Sequence, residues 1–227
     1  MLENEIYPTD GLFFINEEFY TLKASPKQMD ALWANGWWHF GTQFFRYNLT
    51  FYNGGICQVF PLRIRLSDFC LSKNKRRINK KNQDLRTIIR PIKITKEKEI
   101  LFEQHKRRFN HNMPFSLYDF LSFDAERVPC EALEVCVYDK EKLLAVSFFD
   151  VGETAISSIY AMFAPEESSR SLGIFTMLLE IDFARKHGKD FYYQGYCYDG
   201  NSFYDYKKRF RALERFDWNE NWISFKE

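Results

Sequence analysis

One stretch, residues 169–208, constrains the fold of this chain more than any other. Two serines precede a segment whose apolar side chains recur close to a 3.6-residue period, and Gly188 follows its last turn, which is typical of a capped amphipathic helix. The aromatic run 191–198 is too short for a helix and predicts a buried strand. A helix N-terminus beside strand ends can bind an anion, because its first N–H groups are unpaired. We therefore predict that this element holds the acyl donor of a transferase.

The composition of the 227-residue chain predicts a globular protein, since 45% of the residues are hydrophobic and 28% are charged. No apolar run approaches the roughly 20 residues that span a bilayer, and the acidic start lacks an apolar targeting segment. The five cysteines include no C-x-x-C pair, and the four histidines show no metal-ligand spacing. We therefore expect reduced thiols, a cytoplasmic location, no membrane partner and no metal.

The net charge of +1 hides a strongly basic segment, because residues 72–93 contain nine lysines and arginines and one acid, Asp84. We predict a basic helix over residues 72–90 with one narrow apolar face. A solvated surface helix is one reading, since most charge runs are solvated. Charges of a single sign favour a polyanionic partner instead, and the apolar face is too small for a membrane-surface helix.

The order of the remaining patterns predicts an α+β fold in two parts. Strand signals form an aromatic hairpin before residue 66, where Pro61 implies an edge strand or a bulge, and they restart at residue 131. From there the order is three antiparallel strands, a helix and a strand, as in the acetyltransferase (GNAT) core. We expect a GNAT-like mixed sheet flanked by helices over residues 95–227, and a smaller α/β lobe with the basic helix over residues 1–94.

Longer motifs resemble one family, the aminoacyl-tRNA–protein transferases of the N-end rule pathway, which include arginyltransferases and bacterial leucyltransferases. Residues 61–63, P-L-R, and 71–85, LSKNKRRINKKNQDL, are similar to its P-L-R and S-x-x-Q-R-R-x-x-x-x-N-x-D-L segments. Residues 36–49 resemble its R-x-F-G-x-x-x-[FY]-R, and residues 157–196 resemble its long S-S-V-Y to Y-Y-Y-x-G-Y block. The run YKKRF at 206–210 is similar to its closing motif. The resemblance covers nearly the whole chain.

The resemblance implies transfer of arginine or leucine from an aminoacyl-tRNA to the N-terminal α-amine of acceptor proteins that begin with Asp, Glu or a similar residue. The product would be tagged for N-end rule degradation, aminoacyl-tRNA would be the co-substrate, and no cofactor is expected. The ester is already activated, so positioning supplies much of the acceleration. What remains is to remove a proton from the ammonium and to stabilise an oxyanion.

Three residues are predicted to be catalytic: Tyr206 and Lys207, which are spaced as in the family, and Asp150, which could attract the acceptor ammonium. Glu180 could do the same, but its place on the main helix favours a structural role. The residues predicted to hold the tRNA backbone are Arg76, Arg77, Lys80 and Lys81. The other residues predicted to contact substrate are Arg46, Arg63, Ser157, Ser158, Tyr160, Leu172, Gly173, Tyr193, Gln194 and Tyr196. The alternative for the two arginines is an ion pair within the sheet, and for the tyrosines a place in the core.

Two departures from the family leave questions open. Asn53, Ile56 and Val59 stand where its N-terminal cysteines are expected, and the loop 197–205 lacks its S-C-P-K-M, so the amino acid transferred is not evident. Three other functions remain as alternatives. The first is a CoA-dependent N-acetyltransferase, against which the bulky Phe175 argues. The second is a non-catalytic RNA- or DNA-binding module, and the third is a transferase that acts on peptidoglycan precursors.

Overall fold

A computed structural model of the chain describes residues 14–109 and 113–225. The helices are α1 (Pro26–Ala34), α2 (Lys73–Lys81), α3 (Lys96–Lys106), α4 (Leu172–Lys186) and α5 (Asp205–Lys208), with short 3-10 helices at Leu117–Asp119 and Pro165–Arg170. The strands are β1 (Asn16–Tyr20), β2 (Trp38–Phe40), β3 (Gln43–Tyr47), β4 (Leu49–Tyr52), β5 (Gly55–Arg65), β6 (Arg86–Pro91), β7 (Ala132–Asp139), β8 (Lys142–Val151), β9 (Ala155–Phe163), β10 (Phe191–Tyr198), β11 (Leu213–Phe216) and β12 (Trp222–Ser224).

Most of the strands form one large mixed sheet in the order β12-β11-β5-β10-β9-β8-β7-β6, with β4 paired to β5. Within the described chain its neighbouring strands are antiparallel, except that β9 and β10 run parallel. Antiparallel β7, β8 and β9 are thus followed by α4 and the parallel β10. The predicted α+β class with an acetyltransferase-like sheet is confirmed.

Strand β5 lies inside this sheet, where it pairs with β10 on one side and with β11 on the other. The large sheet therefore contains strands from both sides of the predicted boundary between residues 94 and 95. The division into two domains at that boundary stays a prediction. Pro61 faces Tyr196 of β10, between the part of β5 that pairs with β4 and the part that pairs with β11. β5 is not an edge strand, and the bulge beside Pro61 belongs to its partner β10.

The prediction of a basic helix that extends to residue 90 is wrong beyond Lys81. Ser72 caps α2 by accepting a hydrogen bond from the Lys75 N–H at 3.3 Å. The Asn82 amide ends it by donating to the Ile78 carbonyl at 3.0 Å. Residues 86–91 then pair with β7, because burial there alternates with a period of two and β-branched residues favour a strand.

Helix α4 covers one face of the sheet as its apolar period predicts, packing Leu172, Phe175, Leu178 and Ile181 against β7, β8 and β9. Its start differs from the prediction. Ser171 adopts a left-handed conformation (φ 56°), and within the described chain its side chain makes no cap hydrogen bond. The Ser171 carbonyl instead accepts from the N–H groups of the first turn.

The opposite face of the sheet is covered by two groups of elements. Helix α3 packs on β8 and β9, and α1 with the three-stranded sheet β1-β3-β2 forms a separate aromatic cluster around Trp33, Trp38 and Phe44. Burying side chains of this size stabilises the fold by about 1.5–3 kcal/mol each. Among the described residues, no helix is both long enough and apolar enough to cross a membrane.

Candidate active site

The parallel strands β9 and β10 pair over only three positions and then separate. Their register runs from Ala155 and Phe191 to Ser157 and Tyr193. Each strand has an irregularity just beyond this paired segment. On β9, Phe148 and Phe149 of β8 face Tyr160 and Ser158, which leaves Ile159 extra. On β10, Arg63 and Leu62 of β5 face Tyr193 and Gly195, which leaves Gln194 extra.

We call the region between the two strands beyond Ser157 and Tyr193 the strand opening. Bulges bend a strand and turn a side chain out of the regular alternation, and they are common beside active sites. Gly195 makes the bend of β10 possible, because its φ of 90° is rarely adopted by other residues. The sequence therefore makes two neighbouring strands diverge in the middle of a continuous sheet.

Buried polar atoms without partners occur on both strands that flank this opening. Gln194 is 2% exposed, and neither its amide nitrogen nor its amide oxygen has a hydrogen-bond partner within residues 14–109 and 113–225. The same holds for the hydroxyl of Tyr160. Buried polar groups in proteins are nearly always hydrogen-bonded. Donors and an acceptor without partners on the two neighbouring strands indicate a place for a polar ligand.

Glu180 of α4 is fully buried behind this opening. The hydroxyl of Tyr192 donates to its Oε2 at 2.6 Å. Burial raises the pKa of Glu180 to about 7, against the opposing effect of the Ser147, Tyr192 and Ser158 hydroxyls. Ser158 is the first β9 residue beyond the paired segment, so this carboxyl reaches the opening from the α4 side.

Tyr206 and Lys207, on the short helix α5, lie next to the same opening. The Lys207 Nζ donates to the Tyr196 carbonyl at 3.2 Å and lies 5.1 Å from the centre of the Tyr204 ring. Burial lowers the pKa of Lys207 to about 8. A group with that pKa can accept a proton from an α-ammonium, whose own pKa is about 8. Burial raises the pKa of Tyr206, and the charges of Tyr204 and Glu180 raise it further.

Asp150 of β8 is engaged elsewhere. Its Oδ2 lies 2.8 Å from Nε2 of His39 on β2, and the Cys130 thiol donates to its Oδ1 at 3.4 Å. Burial lowers the pKa of His39, but the charge of Asp150 and hydrogen bonds to Asp150 and Gly41 outweigh it, so the pKa is raised overall. The predicted catalytic residue thus ties β2 to the large sheet through a buried ion pair.

His39, Cys130 and Asp150 are also a group that could hold a metal ion, because one ligand atom from each lies within 4.8 Å of the others. The four histidines show no metal-ligand spacing, so this grouping was not visible in the sequence. The hydrogen bonds among the three side chains and to the Gly41 carbonyl already satisfy them.

The two arginines predicted to bind substrate both form ion pairs. Arg63 is 9% exposed, its Nε lies 2.6 Å from Oε2 of Glu214, and its guanidinium packs between the rings of Phe191 and Trp222. Arg46 pairs with Glu17 at 2.8 Å and lies over Trp37. These contacts correspond to the ion-pair alternative for each residue.

Several other predicted positions lie in the core. Tyr193 packs against Trp33 and Trp222, and the Tyr196 hydroxyl donates to the Gly36 carbonyl at 2.8 Å. Ser157 and Leu172 are buried at 1% and 0% exposure. Of the predicted positions, those that the structure brings to the strand opening are Ser158, Tyr160, Gln194, Tyr206 and Lys207.

The basic helix α2 adjoins the N-terminus of α4. Arg76, Arg77, Lys80 and Lys81 are exposed, as a contact with nucleic-acid backbone requires. The Lys81 Nζ donates to the Ser169 carbonyl at 2.6 Å, and Asn82 donates to the Arg170 carbonyl at 3.0 Å. The N-terminus of α4, where the predicted substrate contact Gly173 lies against the Phe163 ring, is therefore continuous with the cationic surface.

Three residues of this region were missed from the sequence, namely His39, Cys130 and Arg108. His39 and Cys130 reach Asp150 from distant positions, and no short motif marks them. Arg108 looks like one more cation of the helix that precedes it. Its position against the Phe163 ring appears only once α3 is packed on β9.

The chain is similar to one family of transferases and to several known proteins. The family described as "Arginine-tRNA-protein transferase, C terminus" matches residues 97–217. An aspartate/glutamate leucyltransferase of Xanthomonas campestris is 32% identical over 165 residues, which cover 69% of this chain and 66% of that protein. One of Campylobacter jejuni is 30% identical over 190 residues, which cover 79% of this chain and 76% of that protein.

Among solved structures, FemX is similar with a TM-score of 0.47 and 12% identity, over 83% of this chain and 65% of that chain. The ribosomal-protein-S18-alanine N-acetyltransferase of Escherichia coli has a TM-score of 0.35 and 19% identity, over 45% of this chain and 62% of that chain.

Proposed function

Because the chain belongs to the arginine-tRNA-protein transferase family, as its motifs predicted, we propose that it transfers an amino acid from an aminoacyl-tRNA to the N-terminal α-amine of a protein. The amino acid would be arginine or leucine, and leucine is the one in the name of the relatives. The same name supports acceptors that begin with aspartate or glutamate. The product would be tagged for N-end rule degradation in the cytoplasm. The reaction would need no cofactor.

The observation that carries this proposal is the strand opening with its partnerless polar atoms. An acyl transfer site must accept a nucleophile, bind a carbonyl oxygen and release an alcohol. Gln194 offers both a donor and an acceptor there, and Tyr160 offers a hydroxyl. A polar substrate would satisfy these groups, and an apolar one would leave them buried and unbonded.

The proposed reaction starts with removal of one proton from the acceptor α-ammonium by the neutral amine of Lys207. The amine nitrogen then attacks the ester carbonyl carbon, and the carbonyl oxygen becomes an oxyanion that accepts hydrogen bonds from the Gln194 amide and the Tyr160 hydroxyl. The C–O bond to the tRNA 3′-oxygen breaks as the amide forms. The Lys207 ammonium returns its proton to that oxygen, and the second proton that the amine nitrogen loses as the amide forms passes to water.

The position of the donor is proposed from the cationic surface. The acceptor stem would lie on Arg76, Arg77, Lys80 and Lys81, where lysine and arginine release counterions from phosphates. The 3′ end would pass the N-terminus of α4, whose free N–H groups suit a phosphate. Asp150 would position β2 and His39 rather than act on the substrate.

The test is a transfer assay with purified protein, several charged tRNAs and peptides that begin with Asp, Glu, Lys or Arg. We expect labelled peptide with at least one pair. Lys207→Ala should lower kcat at least about 100-fold, as expected for loss of a general base. Lys186→Ala, which removes an exposed lysine of α4 paired with Asp182, should leave it unchanged. Absence of product with every tRNA and peptide would refute the proposal.

A second candidate, a CoA-dependent N-acetyltransferase, gains from one observation. Phe175 was expected to crowd a pyrophosphate at the start of α4, but it is 6% exposed and packs into the core. Transfer of a labelled acetyl group from acetyl-CoA to the same peptides, without tRNA, would favour this function.

A further inference from the structure

Arg108 lies at the rim of the strand opening. It follows α3, its side chain is exposed, and its guanidinium lies 4.4 Å from the centre of the Phe163 ring on β9. The next residue, Phe109, contacts Phe203 with ring centres 6.1 Å apart, and Phe203 in turn contacts Tyr206. Arg108 is therefore held between β9 and the segment that carries α5.

This cation is not neutralised within the described part of the chain, because no aspartate or glutamate there forms an ion pair with it. A guanidinium presents a planar fork that matches a carboxylate with two hydrogen bonds. Stacking on Phe163 restricts its orientation. Its conformational entropy would therefore fall less on binding than that of a freely moving lysine.

Two opposite charges act on Tyr206. Beyond the effects of burial and of Tyr204, the Glu180 carboxyl raises its pKa and Arg108 lowers it. The carboxyl is fully buried on the α4 side, and the guanidinium is exposed at the rim. A peptide that begins with Asp or Glu carries a positive α-ammonium and a negative side chain only a few bonds apart. It would match these two charges with its amine inward and its side chain at the rim.

We propose that Arg108 binds the side-chain carboxylate of the acceptor's first residue and so selects acidic N-termini. This inference rests on the proposed function and adds the residue that determines its acceptor specificity. Arg108 contacts the substrate without touching the reacting atoms, so its loss should affect acceptor binding and not the chemical step.

The test compares peptides that differ only in their first residue (Asp, Glu, Asn, Ala or Lys), each with the same charged tRNA. The enzymes are wild type, Arg108→Glu, Arg108→Lys and the control Arg107→Glu, which reverses the adjacent exposed charge. Arg108→Glu should raise KM for Asp and Glu peptides at least about ten-fold, the effect of a lost charged hydrogen bond, while kcat changes little. The Lys peptide should become the better substrate. Arg108→Lys should retain part of the acidic preference, and Arg107→Glu should retain all of it.

The outcomes separate a failure of the Arg108 inference from a failure of the proposed function. An unchanged preference for Asp and Glu in Arg108→Glu, an equal loss in Arg107→Glu, or a wild type that favours Ala or Lys would overturn the inference and leave aminoacyl transfer standing. Absence of transfer to any peptide by the wild type would overturn the proposed function, and the inference with it.

Discussion

The sheet buries two glutamates completely, in very different surroundings. Glu134 on β7 contacts Lys98, whose Nζ lies 2.5 Å from Oε1, and Arg90, whose Nε lies 2.8 Å from the same oxygen. The backbone N–H of Lys93 donates to its Oε2. Glu180 on α4 faces only hydroxyls, and its Oε1 has no hydrogen-bond partner among the described residues.

The difference separates a carboxylate that completes the fold from one that is available to a ligand. Glu134 has two cations beside it, so its charge is neutralised and it can fasten α3 and β6 to β7. Glu180 has no such partner, and burial raises its pKa to about 7. Groups with pKa values shifted in this way beside a cleft are candidates for function. Variants at the two glutamates, and then at the bulge of the strand opening, test this difference from the largest expected effect to the smallest.

Removing the cation beside Glu134 should have the largest effect. Lys98→Ala leaves a buried charge without its main partner, which costs about 3–5 kcal/mol of unfolding free energy. Lys96→Ala is the control, because Lys96 is exposed, pairs with Glu99 in the same helix, and should change stability by less than about 0.5 kcal/mol. Denaturant unfolding measures both. Equal losses of unfolding free energy in the two variants would contradict a structural role for the buried Lys98–Glu134 pair.

Neutralising each glutamate should then give opposite results. Glu180→Gln removes a buried charge that has no cation beside it, so we expect equal or higher stability. We also expect kcat/KM to fall at least about ten-fold, because the acceptor ammonium loses the carboxylate proposed to attract it. Glu134→Gln should lower stability and leave the activity of the folded fraction intact. Unfolding and transfer assays on both variants check this. Full transfer activity in Glu180→Gln would show that the role of Glu180 is purely structural.

Stability should also depend on pH through Glu180. Its pKa is about 7 in the folded protein and about 4.3 in the unfolded chain, so the folded state binds its proton more tightly. Stability is therefore lost as pH rises between these values, by up to about 1.4 kcal/mol per pH unit. The unfolding free energy of wild type minus that of Glu180→Gln should fall from pH 5 to 7 and level off above. A flat difference would contradict the raised pKa.

The smallest effect concerns the bulge that opens the sheet. Gly195 and Gly200 both have positive φ angles, of 90° and 70°. A Cβ on Gly195 would lie 2.9 Å from the Lys207 Nζ, whereas one on Gly200 would meet nothing within 4 Å. Each alanine variant should lose about 1 kcal/mol for its backbone, and Gly195→Ala should in addition displace Lys207 and slow transfer. Identical transfer activities of the two variants would show that the position of the Lys207 Nζ beside Gly195 is not needed for transfer.

Local sequence patterns predicted several helices, strands and turns of this protein, because these elements depend on contacts between residues close together in the chain. Gly188 has the left-handed φ of 65° that its predicted place after the last turn of α4 requires. The order of strands from residue 131 onward also follows from alternation and turn residues. The motif at 206–210 led to Lys207 before any contact was known.

What the sequence did not predict depends on contacts between distant segments. Residues 86–91 continue a basic run, and only pairing with β7 makes them a strand. Glu180 looks structural within an apolar helix, and its missing cation becomes evident only once Tyr192 and Ser158 face it. Asp150 looked catalytic, but His39 reaches it across 111 positions of the chain.

The place of β5 between β10 and β11 has a consequence for how the protein is made. Arg63 contacts Tyr193 across 130 positions and Glu214 across 151. A chain that leaves the ribosome from its N-terminus must therefore carry β5 without β10 and β11 until almost all of the polypeptide has been synthesised. The segment 97–217, expressed alone, would lack the strand that joins β10 to β11. Co-expression of residues 1–94 with the remainder should restore that strand, if the two fragments associate before either aggregates.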